Sequence, residues 1–401
     1  TPGQDDKPAR HIPVRMGLVG PDGPMTDDTV IELTEASRTL SWEDLATRPV
    51  ASLFRGFSAP VTVQRQLDTE DRLRLIAHDT DSFNRWSTAH AFAMDLLKAM
   101  AGPSEKAGGD MPGTDEALAA YSSALSTVLE NENLEPAFRA EVLRVPTETD
   151  IGRAVATIDP TAIAAARKRF RTGLLGHLKP LLEDLYTANI VTGAYDPGAG
   201  QAGKRALKNA ALALLMADPD MATIGLAERQ AADATNMTDE AAAVSLLAQS
   251  DAPEAAGIRE AALAYFYEKW RHDTLVVNKW LVWQALSGGK DALDKIIALT
   301  SHEAFDMGNP NKVRSLIGAF AMENPMAFHR ADGAGYDFFF DKIRALDRIN
   351  PQVAARLLTA TENWRKLEPA RRDMLGARLK ALADAEDLSR NTFEMADRLK
   401  G

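Results

Sequence analysis

The chain contains 401 residues, and its 57 acidic and 46 basic side chains give a net charge of −11 at neutral pH. This length allows about two to three domains, and the acidic balance opposes binding to nucleic acid or to an anionic membrane surface. The absence of cysteine excludes disulfide frameworks, thiolate catalysis, iron–sulfur clusters and cysteine-ligated zinc.

The amino terminus lacks the features of a signal peptide. The chain starts at Thr1 without a methionine, a basic segment or an apolar segment, so we expect it to be cut from a longer protein. The most apolar stretch, Thr274–Leu286, contains Asn278, Lys279 and Gln284 and is too polar to span a membrane. A chain without cysteine is compatible with a reducing compartment, and we predict a soluble, cytoplasmic protein.

Residues 1–67 are predicted to form a partial, Ig-like antiparallel β-sandwich domain. The apolar side chains between Ile12 and Leu18 alternate with others, as in a half-buried strand. Further strands are predicted at Thr29–Leu33, Arg38–Trp42, Ser52–Phe57 and Val61–Leu67. A complete sandwich has about seven strands, so we expect further strands upstream.

Residues 68–401 are predicted to form an α-helical domain. Apolar residues recur with a period of 3.6, and capping residues such as Asp81, Thr114 and Asp159 mark helix starts. The predicted helices are Phe83–Met100, Thr114–Glu130, Pro160–Asn189, Gly203–Met216, one from Asp218 onward, Thr238–Ala248, Pro253–Trp270, Leu275–Leu286, Asp291–Leu299, Asn311–Met322, Gly335–Arg348, Pro351–Ala360, Pro369–Ala385 and Ser389–Leu399. Helices of this length joined by short loops are typical of an irregular HEAT- or armadillo-like array, a superhelix or bowl.

The sequence contains no recognisable catalytic or metal-binding motif. Seven histidines occur, but none has the i, i+4 spacing with which two imidazoles bind zinc. The nearest approach is His302-Glu303, where Asp306 replaces the second histidine, and we interpret these residues as surface. Because GxSxG, GxGxxG and phosphate-loop motifs are also absent, we predict no catalytic residues and no metal ligands within this chain.

A cluster of aromatic residues allows two interpretations. Residues 265–270, together with Trp280 and Trp283, are rich in aromatic and cationic side chains, which could form a platform for stacking bases. Trp280 and Trp283 share one helix face, as do Phe266 and Trp270. Packing between adjacent helices is the favoured interpretation.

Two helix starts carry long polar or charged residues in unusual positions. An Asn-Pro-Asn turn at 309–311 opens a helix with Lys312 and Arg314 in its first turn. Cations there oppose the helix macrodipole, so they call for an anionic partner or a functional reason. In the next such helix, which starts at Asn350-Pro351, Gln352 and Arg356 lie one turn apart on the same face.

These two segments, with others in the same order, closely resemble the C-terminal part of the bacterial aminopeptidase N family of zinc metalloaminopeptidases. The resembling residues are His11-Ile12-Pro13, Phe57–Val61, Asp81, Phe83, Arg85-Trp86, Asn236–Asp239, Lys269-Trp270 with Lys279-Trp280, Asn309–Phe320, Asn324-Pro325, Ala327–His329, Asp332-Gly333 to Tyr336 and Asn350–Arg356. The match is collinear over nearly the whole chain. It implies most of a small β-sandwich domain followed by the complete helical domain of a four-domain enzyme.

The resemblance also implies a function for the longer protein. Its single zinc ion and its HExxH and GxMEN motifs belong to a catalytic domain upstream in the same chain, so this fragment alone is predicted to be inactive and free of zinc. Its helices are implied to wall and cap a chamber that admits peptide substrates. Arg314, Gln352 and Arg356 match residues that face this chamber and are implied to bind peptide carbonyls or the terminal carboxylate.

Other readings of the same residues remain open. The two arginines could be surface ion-pair partners. The run Ala321-Met322-Glu323-Asn324 resembles GxMEN, but Phe320 occupies the glycine position, and we interpret the match as coincidence. Arg205 also resembles the family and is expected to have a structural role. The alternative function is a free-standing helical-repeat scaffold that binds peptide or protein partners.

Overall fold

The computed structural model describes Gly3, residues 10–102 and residues 113–401. Its small sheet is built around β1 (Ile12–Gly20), which pairs antiparallel with β2 (Gly23–Pro24), β3 (Thr29–Leu33) and β4 (Val50–Leu53). In the register of these ladders Val14 faces Ile31 of β3, and Leu18 faces Ala51 of β4. The predicted strands at Ile12 and at Thr29–Leu33 are therefore confirmed.

Two of the five predicted strands are wrong, and a third ends early. Arg38–Trp42 and Val61–Leu67 are irregular, and the large apolar side chains at Trp42 and Val63 are exposed. Neither segment pairs with a strand in the described part of the chain, and apolar alternation without such pairing does not hold an extended chain. Strand β4 ends at Leu53 because the next residues, Phe54 to Phe57, form a 3₁₀ turn with left-handed backbone positions.

The rest of the described chain is helical, as predicted. The helices are α1 (Thr69–His78), α2 (Ser82–Ala101), α3 (Thr114–Glu130), α4 (Pro136–Val142), α5 (Glu148–Ala154), α6 (Pro160–Ala188), α7 (Ala199–Leu215), α8 (Met221–Asp233), α9 (Met237–Gln249), α10 (Ala256–Trp270), α11 (Thr274–Ala285), α12 (Ala292–Leu299), α13 (Pro310–Val313), α14 (Ala319–Glu323), α15 (Pro325–Phe328), α16 (Ala334–Asp347), α17 (Pro351–Leu357), α18 (Pro369–Ala383) and α19 (Arg390–Lys400). Short 3₁₀ turns occur at Pro253–Ala255, Leu358–Thr361 and Trp364–Lys366. The mostly helical class behind a small antiparallel sheet is confirmed; α1, α4, α5 and α15 had not been predicted individually.

The chain divides into two compact units. The first comprises Thr1–Pro146, Gly173–Val191 and Asp196–Ala211, and the second comprises the remaining segments up to Gly401. In the first unit the sheet buries Val19 and Val50 against Leu75 of α1. Among the described residues no helix is both long and apolar enough to cross a membrane.

The second unit has one large apolar core. Phe320, Phe328, Tyr336 and Phe339 are fully buried there. The other three rings each contact Phe328 edge to face, a favourable arrangement for aromatic rings. The start of α16 comes very close to α15, because a Cβ at Gly335 would lie 2.4 Å from the backbone oxygen of Phe328. This close packing positions the segments that carry the candidate site.

Candidate functional site

The first candidate side chain, Arg314, lies on a helical run that changes geometry in its middle. Asn309 caps the run by accepting hydrogen bonds from the amides of Asn311 and Lys312, at 3.0 and 3.4 Å, and Pro310 occupies the first helical position. After α13 the chain forms a π-helical turn at Arg314–Gly318 before α14 begins. The sequence predicted one uninterrupted helix here, and π turns occur frequently at functional sites.

One face of this run is in the core and the other is exposed. Val313, Leu316, Ile317 and Phe320 are fully buried, whereas Arg314 is exposed. The guanidinium Nη1 of Arg314 donates a hydrogen bond to Asn311 Oδ1 at 3.2 Å. The buried residues hold the run in place, and the arginine remains available to a ligand.

The other two candidates lie on α17. Asn350 caps this helix by accepting a hydrogen bond from the amide of Val353 at 3.2 Å, with Pro351 at the first helical position. Ala354 and Leu357 are buried, while Gln352 and Arg356 are exposed. The expected arrangement of these two side chains one turn apart on an exposed face is therefore present.

A glycine brings the two helical segments together. A Cβ at Gly318, the last residue of the π turn, would lie 3.3 Å from Cδ2 of Leu357 and 3.7 Å from Cβ of Arg314. Because Leu357 directly follows Arg356, this contact joins the two arginine-bearing segments. A large side chain at 318 would have to displace Leu357.

Among the described residues, Arg314 and Arg356 form no ion pair with a carboxylate, although other arginines nearby do, such as Arg378 with Asp337 at 2.7 Å. The described residues thus supply no carboxylate for the interpretation of these two arginines as ion-pair partners. Two exposed, uncompensated guanidinium groups on packed helices form a surface that favours an anion or a carbonyl oxygen.

A buried carboxylate stabilises the start of α17. Asp347, at the end of α16, accepts hydrogen bonds from the amide of Ser389 at 2.8 Å and from the hydroxyls of Ser389 and Thr392. Burial raises the pKa of Asp347, but these hydrogen bonds outweigh it and the pKa is lowered overall. Thr392 also lies 3.5 Å from the carbonyl oxygen of Pro351. The sequence analysis missed this network, whose members are about forty residues apart.

The second cation of the helix start behaves differently from Arg314. Lys312 is buried, and burial lowers the pKa of its amine. Its expected placement in the first turn is observed, but its side chain lies on the core side. Lys312 therefore does not contribute to the exposed guanidinium surface.

The described residues offer no metal centre. No group of three or more histidine, aspartate or glutamate side chains among them could hold a metal ion. His302 packs against Trp280 and Tyr267, and Glu303 accepts a hydrogen bond from the Tyr267 hydroxyl at 2.9 Å. His302 is half-buried and Glu303 is exposed, so the pair lies at the surface and contacts aromatic side chains.

The run that resembles GxMEN has a structural role. Glu323 ends α14 in an exposed position, and the buried Asn324 donates from its side-chain amide to the carbonyl oxygens of Ala285 and Ser287, at 2.8 and 3.0 Å. Asn324 Oδ1 also caps α15 through the amide of Ala327. Its amide group holds two turns of the core together.

The aromatic cluster packs two adjacent helices against each other, which agrees with the favoured interpretation. The rings of Phe266 and Trp283 meet edge to face at 4.8 Å, and Trp280 donates its indole N–H to the carbonyl oxygen of Leu263 at 3.0 Å. Both tryptophans are buried. The expected structural role of Arg205 is also observed: it is buried and donates to the carbonyl oxygen of Asp196 at 2.9 Å.

Two family models cover almost the entire chain. Residues 1–66 match a domain of unknown function with an Ig-like fold, DUF3458, and residues 69–401 match its C-terminal companion with ARM repeats, DUF3458_C. The chain belongs to the DUF3458 family. The helical repeat predicted from the sequence is thus confirmed for the C-terminal part.

Relatives of this DUF3458 chain are aminopeptidases. Aminopeptidase N of Caulobacter vibrioides is 37% identical over 389 residues, which cover 96% of this chain and 44% of the relative. Aminopeptidase N of Escherichia coli is 31% identical, covering 98% of this chain and 45% of the relative. The chain is homologous to the C-terminal part of these proteins and spans about 45% of their length.

A solved structure shows the same relationship. The crystal structure of Legionella pneumophila aminopeptidase A in complex with aspartic acid matches with a TM-score of 0.79 and 29% identity, covering 98% of this chain and 45% of that chain. The resemblance stated from sequence motifs is therefore confirmed. The DUF3458 chain shares its fold and ancestry with part of an aminopeptidase.

Proposed function

We propose that this chain is the C-terminal, non-catalytic region of a cytoplasmic, zinc-dependent aminopeptidase that removes N-terminal residues from peptides. In this proposal residues 1–67 form a β-domain and residues 68–401 form the helical wall and cap of the substrate chamber. The zinc ion and the catalytic groups belong to a catalytic domain upstream in the same chain. The donor set of the described residues does not fit a zinc site.

The observation that carries the proposal is the pair of uncompensated arginines. Arg314 and Arg356 are exposed, lie on segments joined at Gly318, and form no ion pair among the described residues. A guanidinium donates two parallel hydrogen bonds to a carboxylate and also binds carbonyl oxygens. Gln352, one turn from Arg356, adds an amide that can donate and accept. Together they form a surface for the carbonyls or the C-terminal carboxylate of a peptide.

The role of this surface in catalysis is orientation. Binding energy from parts of the substrate far from the reacting bond positions that bond at the catalytic groups. A peptide held at its C-terminal side by Arg314 and Arg356 is presented in one direction. The homology over nearly all of the chain to aminopeptidases favours this function over a free-standing scaffold.

The test uses the complete enzyme with Arg314→Ala, Gln352→Ala and Arg356→Ala variants. We expect kcat/KM for tripeptides and tetrapeptides to fall about tenfold or more for each arginine, the value of one charge-assisted hydrogen bond. Turnover of an aminoacyl arylamide, which has no downstream carboxylate, should stay close to the unaltered value. Arg390→Ala is the matched control, since Arg390 is exposed and pairs with Glu394.

Two results contradict the proposal. Equal losses for peptides and arylamide would assign the arginines a structural role, and no loss for either would remove them from the substrate path. The chain alone gives an independent test. We expect it to bind no stoichiometric zinc and to cleave no aminoacyl arylamide, and zinc-dependent turnover by the pure chain would show that it carries a catalytic site of its own.

A further inference from the structure

A cavity of about 270 Å³ lies within the second unit. Its wall comes from four parts of the chain: the segment from α5 to the start of α6, the region of α14 and α15, the turns after α17, and α18. This volume lies just below the range of about 300–1,000 Å³ typical of pockets for drug-sized ligands. The cavity is therefore suited to a small organic molecule.

Part of the wall is apolar and firmly fixed. Ile158 exchanges backbone hydrogen bonds with the segment before α18, donating to Lys366 O at 2.7 Å and accepting from the amide of Glu368 at 2.9 Å. Trp364 donates its indole N–H to the carbonyl oxygen of Leu399 at 2.9 Å. These bonds hold Ile158, Trp364 and the buried Leu367 in place as a preformed apolar surface.

The polar part of the wall carries two carboxylates. Glu148, at the start of α5, is half-buried, and Glu362 is exposed; both line the cavity. Among the described residues neither side chain forms an ion pair or a hydrogen bond. Burial raises the pKa of Glu148, and the charge of Arg167 partly opposes this shift. A carboxylate beside a cavity with no partner is stabilised when a cation enters.

The other titratable groups of the wall leave this negative character intact. Arg153 is exposed and directed to Asp150, 3.9 Å away. His329 is neutral at physiological pH, because burial, with the charge of Arg371, lowers its pKa to about 3. The cavity thus combines two carboxylates and the Arg153 guanidinium with an apolar wall.

We propose that this cavity is a binding site for a small primary ammonium ion carried on a short apolar chain. The ammonium group donates hydrogen bonds to Glu148 and Glu362, and the apolar chain lies against Ile158, Trp364 and Leu367. Both free amines and the amino terminus of a peptide offer this chemistry. The inference does not depend on the proposed function, because binding is measured on the chain itself.

The experiment is isothermal titration calorimetry of the full chain with phenethylamine and, in parallel, with 2-phenylethanol. The two probes have the same size and shape, but only the amine is charged. We expect the amine to bind at least tenfold more tightly, because the alcohol leaves the carboxylates unpaired. Equal affinity for both probes, or no binding of the amine at millimolar concentration, overturns the proposal.

Variants identify the groups responsible. Glu148→Gln and Glu362→Gln should each weaken phenethylamine binding about tenfold while leaving the binding of 2-phenylethanol unchanged. Glu260→Gln is the matched control, since Glu260 is exposed on α10 and outside the cavity. If the control weakens binding as much as Glu148→Gln, the amine binds the acidic surface nonspecifically and the cavity is not its site.

A third variant tests the cavity itself. Ala360→Leu places a larger side chain in the wall and should abolish binding of both probes, with circular dichroism confirming that the chain remains folded. Retained binding by a folded Ala360→Leu chain contradicts the site. Titration with the tripeptide Phe-Gly-Gly then distinguishes the two sources: binding of the tripeptide supports a peptide amino terminus, and its exclusion while phenethylamine binds supports a free amine.

Discussion

Arg55 and Asp79 form a buried ion pair, with Nη2 and Oδ1 at 2.7 Å, a guanidinium only 4% exposed and a carboxylate that is fully buried. Arg55 also donates to the hydroxyls of Ser52 and Thr80, at 3.1 and 2.6 Å, and pairs with Asp28. These contacts connect β4 to the residues that follow α1. The Arg55 guanidinium thus connects the small sheet to the segment that follows α1.

Removing this guanidinium should be costly. Arg55→Met leaves Asp79 buried without its cation, and breaking a buried pair costs about 3–5 kcal/mol. Urea unfolding followed by circular dichroism measures the loss. Arg144→Met is the control, because the exposed pair between Arg144 and Glu141 is worth no more than about 1 kcal/mol. Equal losses for the two variants would show that the pair contributes nothing beyond a surface contact.

The stability of the chain should depend on the protonation of His329. Burial and Arg371 lower its pKa to about 3, whereas an unfolded histidine titrates near 6.5. As the pH falls, the unfolded state therefore binds the proton first. The contribution of neutral His329 to the free energy of unfolding is fully present above pH 6.5 and is lost as the pH falls toward 3.

This single group should lower the free energy of unfolding by about 2 kcal/mol between pH 7.5 and pH 5. Unfolding in urea at both pH values, compared with His329→Gln, isolates this contribution, since glutamine can still bond to the Tyr336 hydroxyl that lies 2.7 Å from His329 Nδ1. His177→Gln, at an exposed position, is the control. An unchanged pH dependence in His329→Gln would contradict the assignment.

The contribution of Asp347 to stability should also be lost with acid, but at lower pH. Because hydrogen bonds from Ser389 and Thr392 overcome the effect of burial and lower its pKa, its contribution is present above the unfolded value near 3.9 and disappears as the pH falls through the lower folded value. Asp347→Asn should cost about 1–3 kcal/mol at pH 7 and less at pH 3. Asp341→Asn, exposed on the same helix, should be neutral, and a loss that does not shrink with acid would refute the role of the charge.

The spacing at Gly318 can be tested by a pair of variants. Gly318→Leu forces atoms toward Leu357 and should destabilise the chain by about 1–3 kcal/mol through overpacking. Leu357→Ala alone also destabilises it by leaving a cavity. Combined, the two changes should cost less than the sum of their separate effects, because the new leucine occupies the vacated space. Strict additivity in urea unfolding would mean that the two residues are not in contact.

The helices were predictable because their signals are local. The capping residues Asn309 and Asn350 and the prolines after them lie next to the helices that they start, so the sequence shows them directly. The strands were less predictable, because strand formation depends on pairing. Val61–Leu67 has the alternation of a strand but pairs with none of the strands among the described residues. Helix-start patterns alone drew attention to Arg314, Gln352 and Arg356, but their proposed role as substrate-binding residues came only from the family resemblance.

Other features depend on contacts between distant residues. Arg55 and Asp79 are 24 positions apart, and the cavity joins Glu148 to Trp364. Nothing near any of these residues in the sequence indicates its partner. The π turn is hidden for another reason, since its residues have the same apolar pattern as an ordinary helix.

A π turn contains one residue more than the α turn that it replaces. The number of residues in this helical run therefore determines the direction in which Arg314 points. Deleting Ser315 from Arg314–Gly318 would restore α geometry and rotate the preceding residues by about 100° relative to the core face at Phe320. The guanidinium would then point elsewhere although no side chain had been replaced. Loss or gain of a single codon here is thus a genetic route by which this exposed guanidinium can be redirected.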